Sequence, residues 1–250
     1  MLNHIRELHY ILKYAIISDV HANLEAVEAC LREIEKLKVD RVICLGDLVD
    51  YCAQPNEVIT LIKNNCDVVI LGNHDEAQYH HNIAERFREF AKISSIHTRG
   101  VLHPENLDYI KSLPLTHSEN DLLFVHASPF EPSGYHYVLD EEAASSNFAS
   151  FKENICFIGH SHRPVVYEIS SGGVKTSAGG VLNKNNRYII NVGSVGQPRD
   201  GNKNLSFGLF DSERRQYTNI RADYDRSSAS IKIYKEGLPV SLAARILVGK

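Results

Sequence analysis

Five stretches of the chain gather residue types that can do chemistry: Asp19-Val20-His21, Gly46-Asp47-Leu48-Val49-Asp50, Gly72-Asn73-His74-Asp75, His126, and Gly159-His160-Ser161-His162. Carboxylate oxygens mixed with imidazole nitrogens suit Mn²⁺, Fe, Zn²⁺ or Ni²⁺ better than Ca²⁺ or a thiolate-only zinc site. Asn73 adds a neutral oxygen ligand, and His74 adds a proton that titrates near physiological pH. Together they hold more donors than one ion can take and enough for two. A carboxylate that bridges can hold two cations about 3.5–4 Å apart. Any one of these residues alone reads as a capping aspartate or a turn residue. Three such groups on successive strands converge on one sheet edge, which capping alone does not explain.

Each stretch follows an apolar run that reads as a strand. Lys13–Ser18 leads into Asp19. From Leu24 to Lys38 the apolar residues Leu24, Val27, Leu31, Ile34 and Leu37 follow one helix face, with Asn23 as its N-cap. Arg41–Leu45 is the next strand, and Pro55 opens a helix that ends near Asn64. Val68–Leu71 then reads as the central strand. Gly72 lets the chain turn sharply there, so Asn73 and His74 sit at a strand's carboxyl end, where open α/β sheets place their chemistry. This βαβαβ order implies parallel strands joined by right-handed crossovers.

Residues 76–112 read as a helical insertion, with Ala84–Lys92 and Pro104–Leu113 as helices. His80, His81 and His97 fall there and read as solvated or lid-forming surface. Leu122–Val125 is a strand ending at His126, Asp140–Phe151 a helix, and Ile155–Ile158 a strand ending at Gly159-His160. From Val165 the chain is β-rich, with strands over Val165–Ile169, Arg187–Asn191, Ser206–Phe210 and Gln216–Arg221 and glycine turns at 172–173 and 179–180. A helix near Ser228–Glu236 and the segment Leu238–Val248 close the chain. No low-complexity linker interrupts it, so residues 13–250 read as one domain preceded by an N-terminal extension over 1–12.

A length of 250 residues is enough for one large α/β core. The net charge of −4 supplies no bulk attraction for nucleic acid or an anionic membrane. Five cysteines, an odd number without a CxxC pair, sit mostly in apolar runs and read as reduced core thiols of a cytosolic protein. The first twelve residues lack the apolar core of a signal peptide, and no stretch is long enough to cross a bilayer. The expectation is a soluble, cytoplasmic protein.

In their order the five stretches match Asp-x-His, Gly-Asp-x-x-Asp, Gly-Asn-His-Asp/Glu, His and Gly-His-x-His. The chain thereby resembles the calcineurin-like metallophosphoesterase superfamily, and within it a compact bacterial and archaeal phosphoesterase branch. The resemblance runs from Lys13 through Pro55-Asn56-Glu57-Val58 and Asn191–Asp200 to Gly237-Leu238-Pro239 and Leu242-Ala243-x-Arg245-Ile246. It implies an α/β fold, a four-layer α/β/β/α sandwich with two mixed β-sheets. It implies two divalent metal ions (Mn, Fe, Zn or Ni), one on Asp19, His21 and His162, the other on Asn73, His126 and His160, with Asp47 bridging. His74 is not a ligand in that family and faces the leaving group as the catalytic proton donor. Asp50 resembles the carboxylate that orients such a histidine in the protein-phosphatase branch. The implied activity is hydrolysis of phosphodiester or nucleotide-type phosphates by in-line attack of a metal-bridging hydroxide.

The departures bear on substrate. Protein Ser/Thr phosphatases carry Arg-Gly after Gly-Asp-x-x-Asp, whereas Tyr51-Cys52 stand here, which argues against that subclass. In the loop Gly193–Asp200, Gly193 and Gly196 permit left-handed backbone near a ligand, and Arg199 can fork onto a phosphate oxygen. That gives Arg199 a substrate-binding role beside Asn73 and His74; the competing reading pairs Arg199 with Asp200 for structure. Tyr135, His136 and Tyr137 either line the pocket mouth or pack on the insertion helices. The expected partner is a small phosphate ester of nucleotide type, because a duplex nuclease needs a basic track that an acidic chain does not advertise. A phosphomonoesterase or phosphoprotein phosphatase is the alternative. A non-catalytic scaffold of the same fold would have lost ligands and the proton-donating histidine, and here all are present.

Overall fold

The apolar strands split their side chains between two interiors. On β1 (Lys13–Ile17), Tyr14 and Ile16 point to one side and Ala15 and Ile17 to the other, and all four are buried. This is the period-two alternation of a strand covered on both faces. The computed structural model describes residues 12–250; residues 1–11, most of the expected extension over 1–12, lie outside the described residues.

After β1 come α1 (Leu24–Leu37), β2 (Arg41–Cys44), α2 (Pro55–Asn65) and β3 (Val68–Val69). The Asn23 side chain caps α1 by accepting from the Ala26 amide at 3.2 Å. Pro55 opens α2, where its missing N–H costs nothing. β1 pairs in parallel with β2 and β2 with β3, as strand–helix–strand connections favour. β3 departs from the expected central strand. It lies at the edge of its sheet, and only Val68 and Val69 pair in the ladder. Leu71 instead donates its amide to the Pro114 carbonyl at 2.8 Å and shares a core cluster with Ile110, Leu113 and Leu115. Cover from later segments, not sheet pairing, buries this run.

Four helices follow: α3 (Asn73–Glu76), α4 (His81–Ala84), α5 (Glu89–Val101) and α6 (Pro104–Lys111). The helix expected over Ala84–Lys92 is broken, because α4 stops at Ala84 and Arg88 is extended at ψ 154° before α5 begins. The break lets Phe87 lay its ring against His74, with centroids 4.3 Å apart. The chain continues with β4 (Thr116–Glu119), β5 (Leu122–Val125), α7 (Glu141–Asn147), β6 (Ile155–Ile158), β7 (Val165–Ser170), β8 (Gly173–Ser177) and β9 (Gly180–Val181). It ends with β10 (Arg187–Asn191), β11 (Leu205–Asp211), β12 (Gln216–Ala222), α8 (Arg226–Lys235) and α9 (Val240–Val248). The helix expected over Asp140–Phe151 is α7, capped by Asp140 and prolonged by one 3₁₀ turn. β4, made of Thr116-His117-Ser118-Glu119, carried no apolar signal; its place comes from antiparallel pairing with β5.

The two six-stranded sheets have the orders β3-β2-β1-β11-β12-β9 and β4-β5-β6-β10-β7-β8, and both mix parallel with antiparallel pairs. Between them lie Tyr14, Ile16, Phe124, Phe157, Phe210 and Tyr217. Outside the first sheet, Ala15, Ile17 and Cys44 meet apolar residues of α1, α2, α8 and α9. Outside the second, Cys156, Ile158 and Ile189 meet Ala144 of α7. This is the four-layer α/β/β/α sandwich. All five cysteines are free. Among the described residues no helix is long and apolar enough to cross a membrane.

Phe157 sits at the centre of the inter-sheet layer, fully buried, 5.5 Å from Phe124 and 5.7 Å from Phe210 between ring centroids. Phe157→Ala should destabilise the protein by about 3–5 kcal/mol in a denaturant titration. A loss below about 1 kcal/mol would mean that the two sheets do not depend on this contact.

Candidate metal centre

The ends of β1, β2, β5 and β6 bring the first, second, fourth and fifth stretches to one edge of the sandwich, and the β3–α3 junction brings the third. Two buried groups result: Asp19, His21 and His162, and Asp47, His126 and His160, with the ligand atoms of each group within 4.8 Å of one another. The backbone bends sharply to do this. Among the described residues fourteen other than glycine have positive φ, and eight of them are Asp19, His21, Ala22, Asp47, Asp50, Tyr51, His160 and His162. Residues in this sparsely allowed region persist only where surroundings hold them, and they concentrate at functional sites.

In the first group His162 Nε2 lies 3.2 Å from Asp19 Oδ1, and His21 Nε2 lies 3.9 Å from it. Asp47 Oδ2 stands between the groups, 3.7 Å from His21 Nε2 and 3.3 Å from His126 Nε2. Asn73 Oδ1 is 3.2 Å from His126 Nε2, which places it with the second group. Three imidazoles are fixed from behind: Nδ1 of His21, His126 and His162 donates to the carbonyls of Val49, Leu45 and Gln197 at 2.9, 2.8 and 2.5 Å. Each therefore presents Nε2 to the interior, the outer-sphere arrangement that orients metal-binding histidines.

This donor set fits divalent cations. His21 Nε2 and His162 Nε2 are 3.2 Å apart, and with both Nδ1 protons given to carbonyls, two lone pairs face each other unless a cation lies between. His160 Nε2 is buried with no hydrogen-bond partner. Asp19 and Asp47 are buried, and their ion-pair partners among the described residues are all histidines. Buried carboxylates without a cation are costly, and a metal supplies the missing charge. Without metal, burial tends to lower the His126 pKa, but Asp47 and the other nearby acceptors outweigh it and push it up to about 9. His160 is driven down to about 3, by burial first and His126 second.

The remaining predicted residues surround these groups. Asp50 Oδ2 accepts from His74 Nδ1 at 2.7 Å. His74 keeps a pKa above its ordinary value, since burial opposes the charged ring but Asp47 and Asp50 overcome it. Arg199 does not pair with Asp200, which engages Arg221 instead. Its guanidinium lies over the Tyr51 ring at 5.4 Å and donates to Gln197 Oε1, and its amide donates to the His162 carbonyl. Tyr137 stacks on His160 with centroids 4.0 Å apart, and the Tyr135 hydroxyl donates to Glu76, so both belong to the rim. His80 is exposed and bonded to Glu76, away from both groups.

Two glycines act differently from expectation. Gly72 is extended, with φ −100°, so no special turn requires it; a Cβ there would lie 2.2 Å from Asp47 Oδ1. Gly193 is left-handed at φ +81°, but Gly196 is not, and its Cβ would lie 2.1 Å from the Val20 carbonyl. Sequence reasoning also missed Gln78, and it quoted Asp75 within a motif without giving it a role. Gln78 Nε2 donates to Asp50 Oδ1 at 3.1 Å and to the His74 carbonyl at 2.8 Å, holding the two residues together. Gln78 follows His74 by four residues, a helical spacing that could have flagged it. Asp75 braces two loops by accepting from the Leu48 and Gly72 amides at 2.7 and 3.1 Å.

With known proteins the agreement is broad. The family model of the calcineurin-like phosphoesterase superfamily domain matches residues 12–215. A protein of Methanocaldococcus jannaschii is 36% identical over 243 residues, covering 94% of this chain and 98% of its own. A metallophosphoesterase from Sphaerobacter thermophilus superposes with a TM-score of 0.84 at 34% identity, over 96% of this chain and 100% of that one. A protein of Pyrococcus horikoshii, at 20% identity, shares the fold with a TM-score of 0.80 over 95% and 98% of the two chains.

Adding Mn²⁺ to chelator-treated protein should raise its melting temperature. Each site filled at a hundred times its Kd adds about 2.7 kcal/mol, and each kcal/mol is worth about 2–4 °C at this size. Calorimetry should show a rise of about 5 °C or more, most of it lost in Asp47→Asn. An unchanged melting temperature would remove the cation from the account of these buried carboxylates.

Proposed function

This chain belongs to the calcineurin-like phosphoesterase superfamily, and on that premise we propose that it is a two-metal phosphoesterase acting on phosphodiesters or nucleotide-type phosphates. Asp19, His21 and His162 would hold one divalent ion, Asn73, His126 and His160 the other, with Asp47 shared. The observation that carries this reading is Asp47 Oδ2, placed 3.7 Å from His21 Nε2 of one group and 3.3 Å from His126 Nε2 of the other. When bound, two such cations would acidify water and offset charge on the phosphoryl oxygens.

The chain's own residues do the rest. Carbonyls of Leu45, Val49 and Gln197 fix three imidazoles before any ligand arrives, so binding costs little reorganisation. His74 Nδ1 donates a hydrogen bond to Asp50, which leaves Nε2 as the atom that would hand a proton to the departing oxygen. Gln78 holds Asp50 in place for that task. Phe87 and Tyr51 pack on the His74 ring and keep water from it, with centroids 4.3 and 4.7 Å away. Arg199, near His162 and Tyr51, is suited to grip a phosphate oxygen.

The reading is tested by hydrolysis of bis-p-nitrophenyl phosphate beside p-nitrophenyl phosphate, after chelation and with Mn²⁺ restored. We expect metal-dependent cleavage with the diester preferred. Preference for the monoester would move the assignment to a phosphomonoesterase, and no turnover of either with metal bound would favour a scaffold. His74→Ala should retain metal and lose about 10²–10⁴-fold in kcat on poor leaving groups, with a smaller loss for p-nitrophenolate. An equal loss on both would take His74 out of the acid role.

A further inference from the structure

One feature of the site mouth is foreign to an acidic protein. Three arginines from distant parts of the chain, Arg88 before α5, Arg199 after β10 and Arg245 on α9, each lie on or next in sequence to an aromatic residue that packs on His74 or on its neighbour Tyr51. Two of them lie over a pair of neighbouring aromatic plates. Tyr51 carries Arg199 at 5.4 Å and Phe90 carries Arg245 at 4.9 Å, and the two rings are 6.2 Å apart. Tyr51 also packs on His74, as does Phe87, the neighbour of Arg88. Arg245 is held below its ordinary pKa by burial first, then by the charges of Arg199 and Arg88. Among the described residues none of the three pairs with a side-chain carboxylate; Arg245 Nε donates to the Lys250 carbonyl and Arg199 to Gln197.

Like charges held near one another without side-chain carboxylate partners repel, and stacking on aromatic faces fixes the planar forks of Arg199 and Arg245 before any ligand binds. We propose that Arg88, Arg199 and Arg245 form a subsite for a second phosphate group, carried on the leaving group of the substrate. The proposal rests on the assignment of the metal centre above and narrows it. The scissile phosphoryl group would lie against the residues that hold the metals, His74 would meet the leaving oxygen, and the arginines would receive an anion beyond it. Guanidinium forks match phosphate in a bidentate way. Three guanidinium groups on one small aromatic cluster suit a single further phosphate group rather than the extended backbone of a nucleic-acid duplex.

The test is calorimetric binding to the Mn²⁺-loaded protein. The probes are orthophosphate, adenosine 5′-monophosphate, adenosine 3′,5′-bisphosphate and the non-hydrolysable α,β-methylene analogue of adenosine diphosphate. We expect at least one doubly phosphorylated nucleotide to bind about tenfold or more tightly than the monophosphate, which is about 1.4 kcal/mol. Tighter binding of the 3′,5′-bisphosphate places the second phosphate across a sugar, and tighter binding of the diphosphate analogue places it in a chain. That ratio should fall toward one in Arg88→Gln or Arg245→Gln; Arg88 is exposed, so its replacement does not put the fold at risk. Absence of the preference in the unaltered protein, or its survival in both variants, overturns the subsite. Failure of orthophosphate itself to bind overturns the metal-centre reading with it.

Discussion

Two carboxylates, Asp19 and Asp47, lie buried at the junction of two sheets with only histidines for ion-pair partners among the described residues. Neither lysine nor arginine neutralises them. Removing such a charge from water costs several kcal/mol unless a positive charge replaces the lost hydration. Much of the local structure can be read as the set of constraints that keep these groups buried, close and correctly turned. Hydrogen bonds do part of it: the His160 amide donates to both oxygens of Asp19, at 3.0 and 3.2 Å, and the His74 amide to Asp47 Oδ1 at 2.9 Å.

The sandwich provides the rigidity this requires. Phe124, Phe157, Phe210 and Tyr217 lock the sheets face to face, and cores of this density resist displacement. Loops leaving the strand ends can then hold left-handed backbone at eight non-glycine positions around the site. Glycines serve where a side chain would collide with the carboxylates. A Cβ at Gly159 would lie 1.9 Å from Ser18 Oγ and 2.5 Å from Asp19 Oδ2. The site is thus built to a tolerance below the size of one methyl group.

Toward the leaving group the character changes from buried charge to aromatic surface. Tyr51 touches both His21 and His74, with centroids 4.5 and 4.7 Å away, and so joins the first Asp–His group to the His74–Asp50 pair. Its position directly after Asp50 lets one loop deliver the Asp50 carboxylate and the ring together. The protein is acidic overall, yet its positive charge here is local and unpaired. Local field, not net charge, governs what an active-site mouth attracts.

The sequence alone determined the elements nearest the chemistry, because both signals there are local. Apolar runs ending in Asp-x-His, Gly-Asp-x-x-Asp, Gly-Asn-His-Asp and Gly-His-x-His specify strand ends and their cargo within a few residues, and Asn23 and Pro55 mark helix starts by their own chemistry. Tertiary structure decided what depends on contacts between distant segments. Val68–Leu71 became an edge with two paired residues because residues 110–115 cover it, and polar Thr116–Glu119 became a strand because β5 offered a free edge. The helix expected through Ala84–Lys92 broke where Phe87 meets His74. Asp200 was drawn to Arg221 across the chain, which left its neighbour Arg199 facing Tyr51. The arginine group belongs to the same class. Its significance is a distance between residues far apart in sequence, and no local pattern encodes a distance of that kind.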